Sequence, residues 1–329
     1  MAPILLPPNQ PEDAMYAGGA QITSFRSCAP CSSHQPEDWV ASTTCGHGSN
    51  GVGYTRLPDG RLLRDAVTSS PDTWLGADHV AKFGPDTKLL VKLLDAGQRL
   101  PVHAHPHRDW AAKHLGAKHG KAEAWYVMTP GSVWFGLREG MERDELLSLV
   151  TAGRGTEVLA RMHKIDVEPH QTIYVPPGVL HCLGEGVMVV EVQEPEDMSV
   201  LCEWADFNID GEKHGHLGLG FETALTAVET KARSADDMAK LIKDAKPSDS
   251  VYPDASREYF ELERRKIDGR GRLRRGFAIV IVIEGNASMT VEGADKLTLK
   301  RGSTVVVPHA DGDFTLEGNI DVLVARPPQ

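Results

Sequence analysis

The chain is broken into many short apolar runs with turn residues at both ends. Examples are LLVKLLDA (89–96), EAWYVM (123–128), SVWFGL (132–137), TIYVPP (172–177), VMVVEVQE (187–194), AIVIVIEG (278–285) and STVVVPH (303–309). Most have strand length and are rich in β-branched and aromatic residues. Punctuated by 32 glycines and 21 prolines, they predict a mainly β protein of the sandwich or jelly-roll type.

One stretch reads as helix. FETALTAVETKARSADDMAKLIKDA (221–245) is dominated by Ala, Leu, Glu and Lys, and Ser234 followed by Asp237 has the spacing of an N-terminal cap. A helical pair is expected there, between two β-lobes of similar outline. In each lobe a hairpin is followed by a turn and an apolar strand that ends in proline. The expected division is 1–212 for the N-terminal segment and first lobe, 213–248 for a helical insertion, and 249–329 for a second lobe.

The net charge of −11 argues against nucleic acid as partner, since phosphate backbones need a basic surface. No segment approaches the roughly 20 apolar residues of a membrane span. The proline-broken start lacks the basic region of a secretory signal. Five cysteines, odd in number and irregular in spacing, do not form a disulfide framework. A cytoplasmic setting is expected.

The densest chemical signal is His103-Ala104-His105. Residues two apart on a strand face the same way, so both imidazoles can reach one ion. Glu123 begins the apolar run EAWYVM, and His181 follows the turn Pro176-Pro177-Gly178. Adjacent antiparallel strands would gather these four side chains on one inner face. Three imidazoles and a carboxylate suit zinc first, and also manganese, iron or nickel. His107, His114, His119 and His170 read as loop or surface residues.

The segments LLVKLLDAGQRLPVHAHPH (89–107), GKAEAWYVM (120–128) and YVPPGVLHCLGEGVMVVEVQEPED (174–197) resemble the type I mannose-6-phosphate isomerase family of cupins. EDWVAS (37–42) is similar more weakly. The resemblance implies a double cupin with a helical insertion, and it places the family's metal ligands on His103, His105, Glu123 and His181. It also implies an aldose–ketose isomerisation through a cis-enediol, with mannose 6-phosphate and fructose 6-phosphate as the default pair.

Such chemistry needs a base for a carbon-bound proton and a stabiliser for the enediolate. Glu191 lies in an otherwise apolar strand, where a carboxylate is either functional or partnered; the resemblance implies an active-site Glu there. Lys92 is a lone charge in LLVKLL, and the family has a substrate-contacting lysine at this position. Lys121 is a second candidate, against a solvated loop lysine. Gln193 shares the face of Glu191, while Glu194 faces away and reads as structural. Trp39 and Ser42 line the pocket mouth or pack in the core, and Trp125 packs beneath it.

Two departures bear on the substrate. Where the family often has a phosphate-holding serine this chain has Pro101, which offers neither hydroxyl nor N–H. No arginine occurs between 197 and 220, where the family has one. Lys213, His214 and His216 are the cations left, with Lys213 taken as a substrate contact. Isomerisation or epimerisation of another, unphosphorylated sugar is therefore one alternative, and a non-catalytic sugar-binding cupin is another. Cys28, Cys31, Cys45 and His47 read as a plain loop before a zinc site. The second lobe keeps His309 but no H-x-H, so it is expected to hold no metal. The basic cluster from Arg264 to Arg275 reads as a solvated edge.

Overall fold

The computed structural model describes residues 2–329. Its strands form three sheets, all with antiparallel pairing. A six-stranded sheet runs in the order Ile242–Asp244, Gln171–Val175, Glu123–Val127, Met188–Gln193, Leu90–Asp95, Glu37–Val40. A five-stranded sheet runs Val200–Leu201, His103–Ala104, His181–Leu183, Gly131–Leu137, Met162–Val167. These two pack face to face, with Trp125 of one 6.4 Å from Phe135 of the other between ring centres.

Register decides which side chains enter the space between them. Trp39, Lys92, Glu191 and Trp125 stand opposite one another across four strands. Gln193 stands opposite Glu123. On the other sheet His103 stands opposite His181. Directly opposed residues share a face, so one inward row carries nearly every polar residue of interest.

The third sheet is built on three 13-residue strands, Glu261–Leu273, Ala278–Thr290 and Phe314–Arg326. Alternate residues of AIVIVI serve two cores. Ile279, Ile281 and Ile283 join the main core, while Ala278, Val280 and Val282 fill a separate one. A strand covered on both faces must read as a continuous apolar run, which is why this segment is so conspicuous in the sequence.

The expected helical pair is not formed. The segment holds one helical turn at Phe221–Ala224, a 3-10 turn at Leu225–Ala227 and a short helix at Ala235–Ala239. It then extends as Ile242–Asp244 to become the edge strand beside Gln171–Val175. The Ser234 cap is present, its hydroxyl accepting the Asp237 N–H at 3.2 Å. Between the pieces the side chain of Arg143 takes the carbonyls of Leu225 and Val228. Tertiary partners replace the helical bonds, overriding propensity.

Helices also occur where none was expected, at Ala20–Arg26, Leu63–Ser69, Pro71–Leu75, Ala77–Phe83, Arg143–Thr151, Gly155–Leu159 and Gly211–His214. Each is too short to show a clear 3.6-residue period. The helix Arg108–Leu115 lies in the segment read as a loop with a short helix. No helix is long and apolar enough to cross a membrane among the described residues.

The chain's beginning is tied to its end. Ile4–Leu5 pairs with Thr304–Val307 in the third sheet. Arg26, buried, forms an ion pair with buried Asp38 at 3.2 Å. It also donates to the carbonyls of Leu6 and Gly302 and to Thr304 Oγ1. The basic cluster is only partly solvated. Arg264 is buried against Asp321 at 2.7 Å and lies 6.0 Å from the Tyr126 ring centre, whereas Arg270 and Arg272 are exposed. Removing one partner of a buried ion pair strands the other charge. Arg26→Met should therefore lower the unfolding free energy by about 3–5 kcal/mol, read as a shift in the urea midpoint.

Candidate metal centre and its cavity

His103, His105 and His181 are buried, and their ligand atoms lie within 4.8 Å of one another. Each ring is oriented by a backbone carbonyl. His103 Nδ1 is 2.8 Å from Pro101 O, His105 Nδ1 is 2.8 Å from Met198 O, and His181 Nδ1 is 2.8 Å from Val179 O. A carbonyl only accepts, so each Nδ1 carries the hydrogen and each Nε2 presents a lone pair.

Glu123 adds a carboxylate to this set. Its Oε2 is 3.0 Å from His105 Nε2, and its Oε1 is 3.1 Å from His181 Nε2. These contacts bring acceptor to acceptor, and His105 Nε2, His181 Nε2 and Glu123 Oε2 have no hydrogen-bond partner. Unpaired buried acceptors facing one another are costly unless a cation lies among them. A proton is a poor candidate for that cation. Burial holds His103 well below the ordinary imidazole value and, with the Lys121 charge, pushes His105 down to about 3. Burial alone would raise the Glu123 carboxyl, but His105, Lys121 and His181 hold it well below its usual range. Neutral imidazoles beside an ionised carboxylate are the donor set of a divalent metal site.

The cavity beside this cluster is lined from the six-stranded sheet by Glu37, Lys92, Leu94, Glu123, Trp125 and Glu191. The other sheet and its loops contribute Leu100, Pro101, His103, His181, Leu183, Asp197 and Ser199, and the N-terminal segment contributes Met15 and Tyr16. Glu191 is buried, and its Oε1 has no partner. Burial and then the charge of Glu123 lift its carboxyl to about 8. Lys92 Nζ lies 3.0 Å from Glu37 and 2.9 Å from Asp197, 4.3 Å above the Trp39 ring centre. Burial would lower its ammonium, but Asp197, Glu37 and Glu191 outweigh it and raise it well above the ordinary value. Lys121 also lines the cavity and is buried, not solvated, 3.4 Å from Glu123.

The other sequence candidates lie apart from the cavity lining. Trp39 is buried and donates to Glu37, Ser42 is buried and donates to the Thr44 carbonyl, and Gln193 donates to the carbonyls of Glu194 and Glu196. Lys213 is exposed on the helical turn Gly211–His214. Glu194 accepts the Ala122 N–H, a structural bond. His119, expected at the surface, is buried between Asp86 and Lys88. Cys28, Cys31 and Cys45 are half-buried free thiols, and His309 lies on a 3-10 turn in the last lobe. The reading of the sequence missed Glu37, Asp197 and Tyr16. Glu37 was reachable, since it shares the face of Trp39 two residues on. Asp197 lies in an irregular stretch with no periodicity to aim it.

Fold and site together define a double cupin with a buried centre suited to a divalent metal ion. The comparisons narrow this class. A family model for the cupin domain of mannose-6-phosphate isomerase matches residues 251–327. A Bacillus subtilis protein named as a probable mannose-6-phosphate isomerase is 28% identical over 321 residues, 94% of this chain and 95% of the relative. The crystal structure of mannose 6-phosphate isomerase from Bacillus subtilis superposes with a TM-score of 0.73 at 21% identity, covering 99% of this chain and 100% of the other. A phosphomannose isomerase from Salmonella typhimurium gives 0.77 at 15% identity, with both chains fully covered. The chain is thus similar along its length to named mannose-6-phosphate isomerases, and it shares their fold.

A ligand that binds only the folded state raises its stability, by about 4 kcal/mol at a thousandfold excess over Kd. Zinc or manganese should therefore raise the Tm of metal-stripped protein. His181→Ala should abolish that rise and lower bound metal, measured by elemental analysis, from one equivalent toward none.

Proposed function

We propose that this protein is a metal-dependent aldose–ketose isomerase that interconverts mannose 6-phosphate and fructose 6-phosphate through a cis-enediol. The carrying observation is the pairing of two features in one cavity: the convergent lone pairs of His103, His105, His181 and Glu123, and the unpartnered carboxyl of Glu191. The named relatives support the same reading. Zinc is the ion this set suits best, through three nitrogens and one oxygen. When bound, it would supply a Lewis acid for the substrate's carbonyl and hydroxyl oxygens. A reducing cytoplasm fits five free thiols.

In this reading Glu191 takes the proton from C2 of the aldose and returns it to C1. Its position in a dry, apolar strand gives it a carboxylate basic enough for that transfer. Lys92 is not the base. Glu37 and Asp197 keep it charged, so it serves as a hydrogen-bond donor to a sugar oxygen. Lys121, beside Glu123, places a second ammonium near the developing enediolate.

One observation favours a second reading, an unphosphorylated aldose as substrate. The cavity is lined by four carboxylates (Glu37, Glu123, Glu191, Asp197) and two lysines, with no arginine. Both lysines already face carboxylates. A phosphate dianion therefore finds no bidentate partner and no uncompensated charge there.

Comparing kcat/KM for mannose 6-phosphate and mannose decides between the two, because phosphate recognition should favour the former by tenfold or more, about 1.4 kcal/mol. Glu191→Gln should lower kcat by about 10²–10⁴-fold and abolish exchange of the C2 proton with solvent deuterium. Unchanged turnover in this variant would remove Glu191 from the mechanism. In the unaltered enzyme kcat should fall on acidification, because a base must be deprotonated to act.

A further inference from the structure

Outside the cavity, three residues form a second chain of ionisable groups. Asp86 Oδ1 accepts the backbone N–H of Lys88 at 2.8 Å. Asp86 Oδ2 lies 2.6 Å from His119 Nε2. His119 Nδ1 lies 3.0 Å from Lys88 Nζ. His119 is 7% exposed, and none of the three lines the cavity beside the metal ligands.

The geometry assigns the hydrogens. A lysine can only donate, so His119 Nδ1 is the acceptor. Nε2 then carries the hydrogen and donates to Asp86. A neutral imidazole thus points its lone pair at an amine and is backed by a carboxylate. The arrangement is maintained at a cost, since Lys88 holds φ at 58°, a left-handed conformation that non-glycine residues seldom adopt. His79 Nε2, 2.6 Å from the Asp86 carbonyl, pins the same turn. Burial lowers the Lys88 ammonium below its ordinary value, with Asp86 and Glu194 opposing and Arg108 adding to the effect.

We propose that Asp86, His119 and Lys88 form a nucleophilic amine site at which Lys88 is acylated by an acyl phosphate. A carboxylate-backed imidazole that unloads a nucleophile is the logic of hydrolase triads, here applied to an amine. His119 Nδ1 takes a proton from the ammonium, and the free amine attacks the acyl carbon. The C–N bond of the amide forms as the C–O bond to phosphate breaks. The second amine proton leaves with the phosphate or passes to solvent, and Asp86 stabilises the imidazolium meanwhile. The product loses a positive charge two residues before the strand Leu90–Asp95 that carries Lys92.

Full-length protein is incubated with acetyl phosphate at neutral pH, and the acetylation of each lysine is followed by peptide mass spectrometry. Lys113, exposed on the helix Arg108–Leu115, is the internal reference. Lys88 should react at least about tenfold faster than Lys113, a conservative floor for general-base assistance. In His119→Gln the Lys88 rate should fall to that of Lys113, whose own rate stays unchanged. Folding of the variant is checked by circular dichroism, and if it does not fold, the ratio in the unaltered protein decides alone. Equal rates at Lys88 and Lys113, or a fast Lys88 in folded His119→Gln, would overturn the proposal and leave a purely structural ion cluster.

Discussion

Three carbonyl oxygens organise the functional half of this molecule. Those of Pro101, Val179 and Met198 each hold an imidazole by its Nδ1–H and so turn a lone pair inward. Two of the three lie two residues before the histidine they orient, so the loops leading into the strands set the ring angles. The third comes from Met198, next to Asp197, which couples the His105 ring to the loop that holds Lys92. Carbonyls behind the ligands fix both tautomer and aim. The result is a buried cluster of acceptors whose mutual repulsion is relieved by positive charge. The sheet register, the bidentate Arg99–Glu203 contact that also caps the Val102 N–H, and the ring of Trp125 against His181 all stabilise a geometry that is unfavourable when empty.

The opposite end of the cavity has the reverse character. Glu37 and Asp197 outnumber Lys92, and Tyr16 Oη donates to Glu37 at 2.7 Å. The cavity is therefore polarised, with a place suited to a cation at the histidines and further carboxylate acceptors around the ammonium at the Lys92 end. A polyhydroxylated molecule fits such a gradient, its reacting oxygens at one end and its hydroxyl donors at the other. Pro101 lines the same cavity without a polar side chain.

How much of this could be read from the sequence depended on how local each signal was. His103, His105, Glu123 and His181 were legible because a two-residue period and a short turn are enough to aim side chains. Glu191 and Lys92 were legible because a charge in an apolar strand demands a reason. Trp39, Ser42 and Gln193 were placed on the right strands or beside them, but neighbouring groups consume their polar atoms, which no one-dimensional pattern reports. Lys213 was singled out only as a cation in a region lacking arginine, and it is solvated. The helical pair failed because propensity in 221–245 is overruled by an open sheet edge that takes Ile242–Asp244. The carboxylates that neutralise Lys92 come from sites more than fifty residues from it on one side and a hundred on the other, beyond any local pattern.

Arg26, at the end of the helix Ala20–Arg26, donates to Thr304, 278 positions later at the start of the strand Thr304–Val307, and the strand Ile4–Leu5 pairs with that same strand. During synthesis the strand Ile4–Leu5 waits for residues 304–307, whereas the buried guanidinium already has Asp38 and the Leu6 carbonyl and gains Gly302 and Thr304 later. The two large sheets around the metal ligands have no such dependence, since most of their strands lie between residues 90 and 201. The half that carries the metal-site histidines can thus assemble early, while the strand Ile4–Leu5 waits for its partner. Arrival of the third sheet then pairs Ile4–Leu5 and completes the hydrogen bonds of Arg26, whose partner Asp38 adjoins the cavity residue Glu37. The strand that carries Glu37 is in this sense secured from outside its own sheet, through the Arg26–Asp38 pair.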